Sequence, residues 1–386
     1  MRLLEIENPP GVPHLAIKLL KLIGVTKENA QRLRFAVTFS GFVFMILIPK
    51  IVFRYHSLES AIIGTAELLF ESNNFCGTLI IFINYDKYRE FINAVEAFVQ
   101  SEHFEPSNLA NYIAQQHLKI HRAGRMYCYA ILYAAHFYNF SPILFTAWSY
   151  YKSMESENKT LHFTLPMEGY YYGLAIHSSM RDYIIYAILM SPVIYLCALI
   201  SVVKLLAIFS FTRYCTIYFQ LVRLKIREVV LDHSFGKDLS SVIRMHQDVL
   251  HCAELLEELV SPVLLVQLIL CVMIWSLMLL YFSVSGLGTQ FGNLFVLFLI
   301  TTIESFGYCY LGNELSDASA NIERTLHKLD WYTEILSVQK DIQLMLLRSQ
   351  KHVGITAGRF CFINMEQFGK LVKTAYSVFI VMKDQL

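Results

Sequence analysis

Charged and hydroxyl-bearing side chains recur along one face of the last apolar segment, residues 353–386. On a helix that turns by about 100° per residue, six positions fall within about 80° of one another: Glu366, Lys370, Lys373, Ser377, Val381 and Asp384. A charge at mid-bilayer costs roughly 2.5–3.5 kcal/mol, so this stripe must face water or protein. Two interpretations fit. The helix lines an ion-conducting pore, or it packs on partner helices with its lysines extended to the membrane surface.

A second set of polar side chains, Glu67, Glu71, Asn73 and Asn74, lies within the apolar window 61–83 and must face the interior of a helix bundle. Aromatic and methionine side chains of neighbouring windows complete a band that suits a small-molecule pocket. We therefore predict a ligand cavity in the outer half of the bundle, between spans two and five, that involves Phe70, Asn73, Asn74, His136, Tyr138, Asn139, Tyr186, Met190, Trp275 and Met278. Ordinary core packing is the alternative for each of these residues.

Motifs of enzymatic chemistry are absent from the sequence, which has no G-x-S-x-G, H-E-x-x-H, P-loop or dinucleotide-binding glycine turn. His117 and His121 are four residues apart, but no carboxylate or cysteine stands at ligand spacing, so we predict a solvated histidine face rather than a metal site. The eight cysteines show no C-x-x-C spacing and are expected to be free thiols. The chain is therefore not expected to be an enzyme or to need a cofactor.

The C-terminal segment resembles the closing signature of insect odorant receptors. The matching residues are Thr356, Ala357, Gly358, Arg359, Phe360, Asn364, Glu366, Phe368, Lys373, Thr374, Ser377 and Phe379. This resemblance covers the last tenth of the chain closely, and the other helices only by length and layout. Gustatory receptors are a related alternative, but they usually end in Thr-Tyr-x-x-x-x-x-Gln-Phe, a close that this chain lacks.

The resemblance implies a subunit of an odorant-gated, non-selective cation channel that is ionotropic rather than G-protein coupled. It implies a plasma-membrane heterotetramer with the family's co-receptor, a volatile odorant as ligand, and olfactory dendrites as the location. The chain lacks the co-receptor's long insertion before the fifth span, so the resemblance is to a tuning subunit. It also places the gate in the final helical turns, which here contain Ser377, Ile380, Val381, Asp384 and Gln385. The co-receptor's constriction is apolar and closes by dewetting, so Asp384 and Gln385 depart from that pattern.

Composition independently indicates an all-α integral membrane protein. The 386 residues are 55% hydrophobic and only 16% charged, with a mean hydropathy of +0.44. The net charge of +1 gives no electrostatic reason to bind nucleic acid. Seven apolar windows are near or above the ~20 residues that a bilayer requires. They are residues 35–53, 61–83, 126–148, 183–211, 260–285, 291–311 and 360–382.

Lysine and arginine counts orient these windows. With the N-terminus inside, the cytoplasmic segments carry twenty-three of the thirty-two basic residues and the outside segments carry six. The positive-inside rule therefore predicts a cytoplasmic N-terminus and an extracellular C-terminus, the reverse of a G-protein-coupled receptor. A multipass transporter is a further alternative, but the inverted repeats typical of transporters are not evident. The sequon at Asn158 falls in a predicted outside loop and is a candidate glycosylation site.

The predicted domain organisation follows from these windows. Residues 1–34 form a cytoplasmic N-terminus whose short amphipathic helix, 15–25, lies at the membrane surface or in the cytoplasm. Residues 35–311 hold spans one to six and the ligand cavity, with helices that extend into the cytoplasm over 204–259. Residues 313–356 form cytoplasmic helices that need a partner for their apolar faces, and the resemblance implies that they anchor the tetramer. Residues 357–386 form the seventh, pore-lining span.

Overall fold

The computed structural model describes residues 11–53, 55–100, 108–155, 163–231, 235–285 and 291–385. Among them are eleven α-helices: α1 His14–Leu22, α2 Asn29–Phe42, α3 Ile48–Val52, α4 Leu58–Ile83, α5 Tyr85–Gln100, α6 Asn108–Glu155, α7 Met180–Leu231, α8 Phe235–Ser285, α9 Phe291–Leu326, α10 Leu336–Ser349 and α11 Met365–Asp384. A π-helical turn, Val43–Leu47, joins α2 to α3, and two short strands, β1 Thr356–Ala357 and β2 Cys361–Phe362, precede α11. The chain is a largely helical membrane protein, as its composition predicts.

Five helical segments in the described ranges are long and apolar enough to cross a membrane: Gln31–Val52, Leu58–Ile83, Met180–Val230, Asp238–Ser285 and Phe291–Leu326. They contain four of the seven predicted windows and all but the last residue of a fifth, 35–53. Window 126–148 lies on α6, and window 360–382 begins before α11 and continues along it; both helices are more polar. The helix α7, with 52 residues, is about 78 Å long at ~1.5 Å per residue, far longer than a ~30 Å hydrocarbon layer. It is therefore long enough for the predicted extension beyond the bilayer.

The centre of the bundle is α8, which packs against α4, α5, α7, α9 and α11. The polar residues of α4 face this interior, because Glu67, Glu71, Asn73 and Asn74 are all buried. The π-helical turn lies directly before α3, whose second residue, Pro49, cannot donate a backbone N–H. The next residue, Lys50, is buried, so its ammonium group lies inside the helix bundle.

The apolar face of α1 packs within the chain, since Leu15, Leu19 and Leu20 are buried in the protein core and α1 packs on α7. One sequence-based prediction for the N-terminal third is corrected. His117 and His121 do not form a solvated face, since both are buried. Nδ1 of His117 lies 2.6 Å from the hydroxyl of Tyr214. The alternation of apolar and polar residues on α6 could not reveal this burial, because α1 covers the histidines from a distant part of the sequence.

The C-terminal signature builds a turn as well as a helix. Strands β1 and β2 pair antiparallel, and the turn between them contains Gly358 and Arg359, both with positive φ. A Cβ at Gly358 would lie 2.7 Å from Leu265, so the position favours glycine for its conformation and for space. The side chain of Asn364 caps α11 by accepting the N–H of Gln367 at 2.8 Å. The helix α11 therefore begins at Met365, five residues after the start of the predicted apolar window 360–382.

Candidate ligand cavity

A small cavity of about 60 Å³ lies between α4, α6, α7 and α9 and is called the upper cavity here. Its lining residues are Phe70, Glu71, Ile131, Ala134, Ala135, Tyr138, Met167, Ile194, Cys197, Ala198, Ser201, Val296, Leu297 and Ile300. Most of these side chains are apolar, and polar atoms come only from a few, as in typical small-molecule sites. The volume corresponds to about two water molecules, so a larger ligand requires lining side chains to move.

The upper cavity is closed on one side by the loop residues 163–168, called the roof segment. Leu165 and Met167 are buried although they belong to a loop, and Met167 lines the cavity. Glu168 is held through both its backbone and its side chain. Its backbone N–H donates to Glu67 Oε2 at 3.0 Å, and its carboxylate accepts from the Ser60 hydroxyl at 2.8 Å. These bonds hold the loop against the first half of α4.

Glu67 is the centre of the polar cluster beside the roof segment. Its Oε2 lies 2.6 Å from the ammonium of Lys50, and both side chains are almost fully buried. Lys50 also donates to the backbone carbonyl of Glu168 at 2.8 Å, while the hydroxyl of Tyr138 donates to Glu67 Oε1. Tyr138 lines the cavity, so this cluster connects a cavity wall to the roof segment. A buried ion pair is tolerated only with such additional hydrogen bonds.

A second buried ion pair lies next to the upper cavity. Lys204 Nζ is 3.2 Å from Glu304 Oε2, and both side chains are fully buried. The hydroxyl of Ser201, a lining residue, donates to Glu304 Oε1 at 3.2 Å. Lys204 also donates to Gln267 Oε1 at 2.9 Å, and the amide of Asn73 donates to the same oxygen at 2.7 Å. The network joins α4, α7, α8 and α9, three of which form walls of the cavity.

The predicted ligand-binding residues divide into three groups. Phe70 and Tyr138 line the upper cavity. A second group is buried without appearing in its lining: Asn73, Asn74, Asn139, Tyr186, Met190, Trp275 and Met278. His136 lies on the exposed face of α6, where its Nδ1 contacts the backbone carbonyl of Leu132 at 2.8 Å. The proposed glycosylation residue, Asn158, lies outside the described residues.

Several lining residues were not singled out from the sequence. Val296, Leu297 and Ile300 come from α9, whereas the prediction placed the cavity between spans two and five. Ala134 and Ala135 were also missed, because alanine is unremarkable in a membrane helix. Small side chains could have indicated this cavity, because they leave space where four helices converge. The roof residue Met167 belongs to a loop and could not be found from helical periodicity.

Side-chain contacts lead from the upper cavity to α11. Phe70 and Leu297, which line the cavity, pack in one cluster with Ile274 and Met278 of α8. On the same helix, Trp275 meets Phe368 of α11 edge to face, with ring centroids 5.9 Å apart. Further along α11, the backbone carbonyl of Ala375 accepts from the hydroxyl of Ser276 at 2.9 Å. The helix α8 therefore contacts the cavity wall and the C-terminal helix within two turns.

The polar stripe of α11 faces away from the rest of the chain. Glu366 and Lys370 are exposed and form an ion pair of 2.7 Å, and the exposed Ser377 donates to the backbone carbonyl of Lys373 at 3.0 Å. Further along, the remaining predicted gate residues Ile380, Val381, Asp384 and Gln385 are also exposed. The buried side chains of this helix are Leu371 and Ala375. Within the part of the chain that the structure describes, no other element covers this exposed face of α11.

Comparison of the amino-acid sequence with known proteins identifies related proteins. A family model described as 7tm Odorant receptor matches residues 65–376. Odorant receptors 94a and 67c of Drosophila melanogaster are 24% and 23% identical over 43% and 50% of this chain. The alignments cover 45% and 47% of these relatives, so the chain spans less than half the length of the curated relatives it matches.

The fold matches a solved structure over nearly its whole length. The insect olfactory receptor OR5 from Machilis hrabei, in complex with eugenol, aligns with a TM-score of 0.76 over 96% of this chain and 97% of that chain, at 12% identity. A second structure of the same receptor aligns with a TM-score of 0.70 over 95% and 96% of the two chains, also at 12% identity. At this level of identity the likeness shows the fold.

Proposed function

The chain belongs to the 7tm odorant receptor family, and we propose that it is the odorant-binding subunit of an odorant-gated, non-selective cation channel. In this proposal it assembles with the family's co-receptor as a heterotetramer in the plasma membrane. The observation that carries the proposal is the upper cavity, which is mostly apolar, closed by the roof segment and connected through α8 to α11. The relative OR5, whose structure was solved with eugenol, supports a small volatile compound as ligand.

Odorant binding would derive its free energy mainly from burial of apolar surface, at ~25 cal/mol per Å². Shape and a single hydrogen bond then decide selectivity. Glu71 is the best partner for that bond, because it lines the cavity and its Oε2 has no hydrogen-bond partner among the described residues. Buried residues behind the wall, such as Asn139 and Met190, would act on the cavity shape without touching the ligand.

Opening of the channel would follow from expansion of the upper cavity. A ligand larger than the resting volume of about 60 Å³ would push lining side chains outward, and two of them, Phe70 and Leu297, pack on Ile274 and Met278 of α8. Movement of α8 would reach Phe368 through Trp275. The exposed face of α11 would line the pore, with Ser377, Ile380, Val381, Asp384 and Gln385 as this subunit's share of the gate.

The topology and the domain roles belong to the same proposal. We expect a cytoplasmic N-terminus and an extracellular C-terminus, with α10 and the neighbouring ends of α7 to α9 as the anchor at which subunits meet. Exposed apolar side chains on α10, Leu336, Leu344 and Leu347, support a contact with other subunits there. Epitope tags at both ends, stained before and after permeabilisation, test the orientation. Staining of an N-terminal tag on intact cells would contradict it.

Whole-cell recording with and without the co-receptor tests the function. We expect rapid, G-protein-independent odorant currents only when both chains are expressed. Ala134→Phe fills the upper cavity from α6 and should abolish responses to bulky odorants first, whereas Ala130→Phe, an exposed position one turn earlier, should leave them intact. Equal odorant responses of the two variants, at equal surface expression, would place the ligand elsewhere.

A further inference from the structure

A second cavity lies beside the Lys204–Glu304 ion pair and is called the lower cavity. It has a volume of about 240 Å³, larger than the upper cavity, and it lies between α6, α7 and α9. Most of its wall is apolar and includes Leu205, Phe209 and Leu311. The exposed side chain of Ile303 is part of its lining, so the cavity borders the outer surface of the helices.

Polar atoms gather at one part of this wall. Glu304 and Tyr127 line the lower cavity, and the hydroxyl of Tyr127 donates to Glu304 Oε1 at 3.4 Å. Tyr308 also lines it, is only 5% exposed, and has a hydroxyl without a hydrogen-bond partner among the described residues. A buried hydroxyl without a partner has lost its hydrogen bonds to water without replacement, so a ligand that bonds to it gains affinity. The unsatisfied hydroxyl of Tyr308 therefore indicates what the cavity would bind, and because neighbouring atoms cover it in this structure, a ligand would reach it through a small movement of the tyrosine.

We propose that the lower cavity is a second binding site, separate from the odorant cavity, for a small neutral amphiphile that carries one hydroxyl group. The hydroxyl would bond to Tyr308, and the apolar body would fill the space beside Leu205, Phe209 and Leu311. An ionic ligand is disfavoured, because Glu304 is already paired with Lys204 and a further charge would have no counterion. A phospholipid acyl chain fits the apolar wall but offers Tyr308 no partner.

A single hydrogen bond connects the linings of the two cavities. Ser201 lines the upper cavity and donates to Glu304, which lines the lower one. Occupancy of the lower cavity would therefore act on the same ion pair that borders the upper cavity. The site would make odorant sensitivity depend on amphiphiles dissolved in the membrane, a consequence that rests on the proposed function.

Photolabelling of the purified full-length protein in phosphatidylcholine nanodiscs tests the site without reference to channel activity. The probe is octanol that carries a diazirine, and labelled residues are located by mass spectrometry. We expect saturable adducts on Tyr308 or Tyr127 that excess unlabelled octanol displaces. Labelling that does not saturate would show simple partition from the lipid, or an acyl-chain groove, and would overturn the proposal.

Photolabelling of three variants determines which cavity binds the probe. Gly307→Leu projects into the lower cavity, where a Cβ meets nothing within 4 Å, and should reduce labelling at least fivefold. Gly41→Leu, an equally open helical glycine outside both cavities, should not. Ala134→Phe fills only the upper cavity and should leave the adducts in place, which separates this proposal from the odorant-binding one. Unchanged labelling in Gly307→Leu, or its loss in Ala134→Phe, contradicts the second site.

Tyr308→Phe tests the hydrogen bond, and it replaces Gly307→Leu as the test of the site if that variant does not fold. This variant keeps the ring and removes only the hydroxyl that has no partner among the described residues. We expect the octanol concentration for half-maximal displacement to rise about tenfold, the loss of one good hydrogen bond. Displacement at an unchanged concentration would mean that Tyr308 does not bind the hydroxyl, and the proposed ligand class would be wrong.

Discussion

The phenolic oxygen of Tyr186 bonds to both backbone groups of Met167, accepting the N–H at 3.1 Å and donating to the carbonyl at 2.7 Å. Met167 lines the upper cavity, whereas Tyr186 lies behind it. Tyr186 would therefore act on a ligand through the roof segment rather than by direct contact. The two residues are nineteen positions apart, so this relationship links α7 to the loop that precedes it.

Tyr186→Phe should loosen the roof segment. The substitution leaves two buried backbone groups of Met167 without a partner, at a cost of roughly 1–3 kcal/mol. We expect lower potency for the best odorant, by about tenfold, and a smaller difference between good and poor odorants, with maximal current retained. Dose–response curves on co-expressed receptors measure this. Tyr133→Phe, at a 73% exposed tyrosine of α6, is the matched control. Unaltered potency in Tyr186→Phe would mean that the roof segment does not shape the ligand site.

The Lys50–Glu67 pair should be essential for folding. Glu67→Gln removes the anion and leaves the buried Lys50 cation uncompensated, which typically costs about 3–5 kcal/mol. We expect a strongly reduced melting temperature and little surface protein. The double variant Lys50→Met with Glu67→Leu should recover much of the stability, because no charge remains buried.

The exposed pair Glu366 and Lys370 provides the control for this cycle. The side chains of Lys370 and Glu366 are 62% and 72% exposed, and water screens their interaction. Glu366→Gln should therefore leave the melting temperature almost unchanged. A double variant at Lys50 and Glu67 that is no more stable than Glu67→Gln alone would show that the pair's hydrogen bonds to the roof segment matter more than charge balance.

The helical architecture could be predicted from the sequence because hydropathy and length decide whether a helix can lie in a bilayer. The inward orientation of the polar side chains of α4 could also be predicted, since the cost of exposing Glu67 or Asn74 to lipid leaves no other choice. The cavity walls could not be located, because the sequence does not distinguish Phe70, which lines the cavity, from Met190, which does not. That difference depends on how α7 and α9 cross α4, and hence on packing between distant segments.

The burial of His117 escaped prediction for a similar reason. Periodicity describes one helix, whereas burial of this histidine depends on α1, about a hundred residues earlier in the chain. The salt bridge between Lys204 and Glu304 was missed because the partners are a hundred positions apart. Buried charges in membrane helices point to partners, but the sequence does not say which of several carboxylates a lysine meets.

His117 of α6 should make its contact with the N-terminal residues Gly11 and His14 less stable at acidic pH. Burial, followed by the nearby His14 and His121, lowers its pKa from 6.5 to about 4. The unfolded chain therefore binds more protons between pH 6.5 and 4, so stability is lost as pH falls through this window and is complete above it. At pH 5.5 the loss from this residue is about 1 kcal/mol. Thermal unfolding of His117→Gln at pH 7.5 and 5.5 should show a smaller difference between the two pH values than the parent protein.

His327 supplies the control for the acid effect, since its side chain is 55% exposed. His327→Gln controls for the general effect of replacing a histidine by glutamine. If His117→Gln and the parent lose the same stability on acidification, the cluster of His14, His117 and Tyr214 accommodates the proton, and the pH effect must arise elsewhere.

Trp275 should affect gating more than odorant recognition. Its ring contacts Phe368 of α11 and does not line the upper cavity. Trp275→Ala removes this contact and should lower the maximal odorant current severalfold, while the rank order of odorants is kept. Leu297→Ala, which enlarges the cavity, should instead change the rank order. Concentration–response curves for a panel of odorants distinguish the two effects, and a changed rank order in Trp275→Ala would assign this tryptophan to the ligand site.

Asp384 should influence conduction from the C-terminal end of α11. It is the last residue of that helix and is exposed, on the polar stripe that begins at Glu366. An acid at a pore mouth concentrates cations through a local field that salt screens. Asp384→Lys should therefore lower inward cation current or divalent permeability, with odorant potency unchanged because the cavity lies elsewhere. Asp384→Asn should give a smaller effect of the same sign. Reversal potentials and currents equal to those of the parent channel, at normal surface expression, would exclude Asp384 from the conduction path.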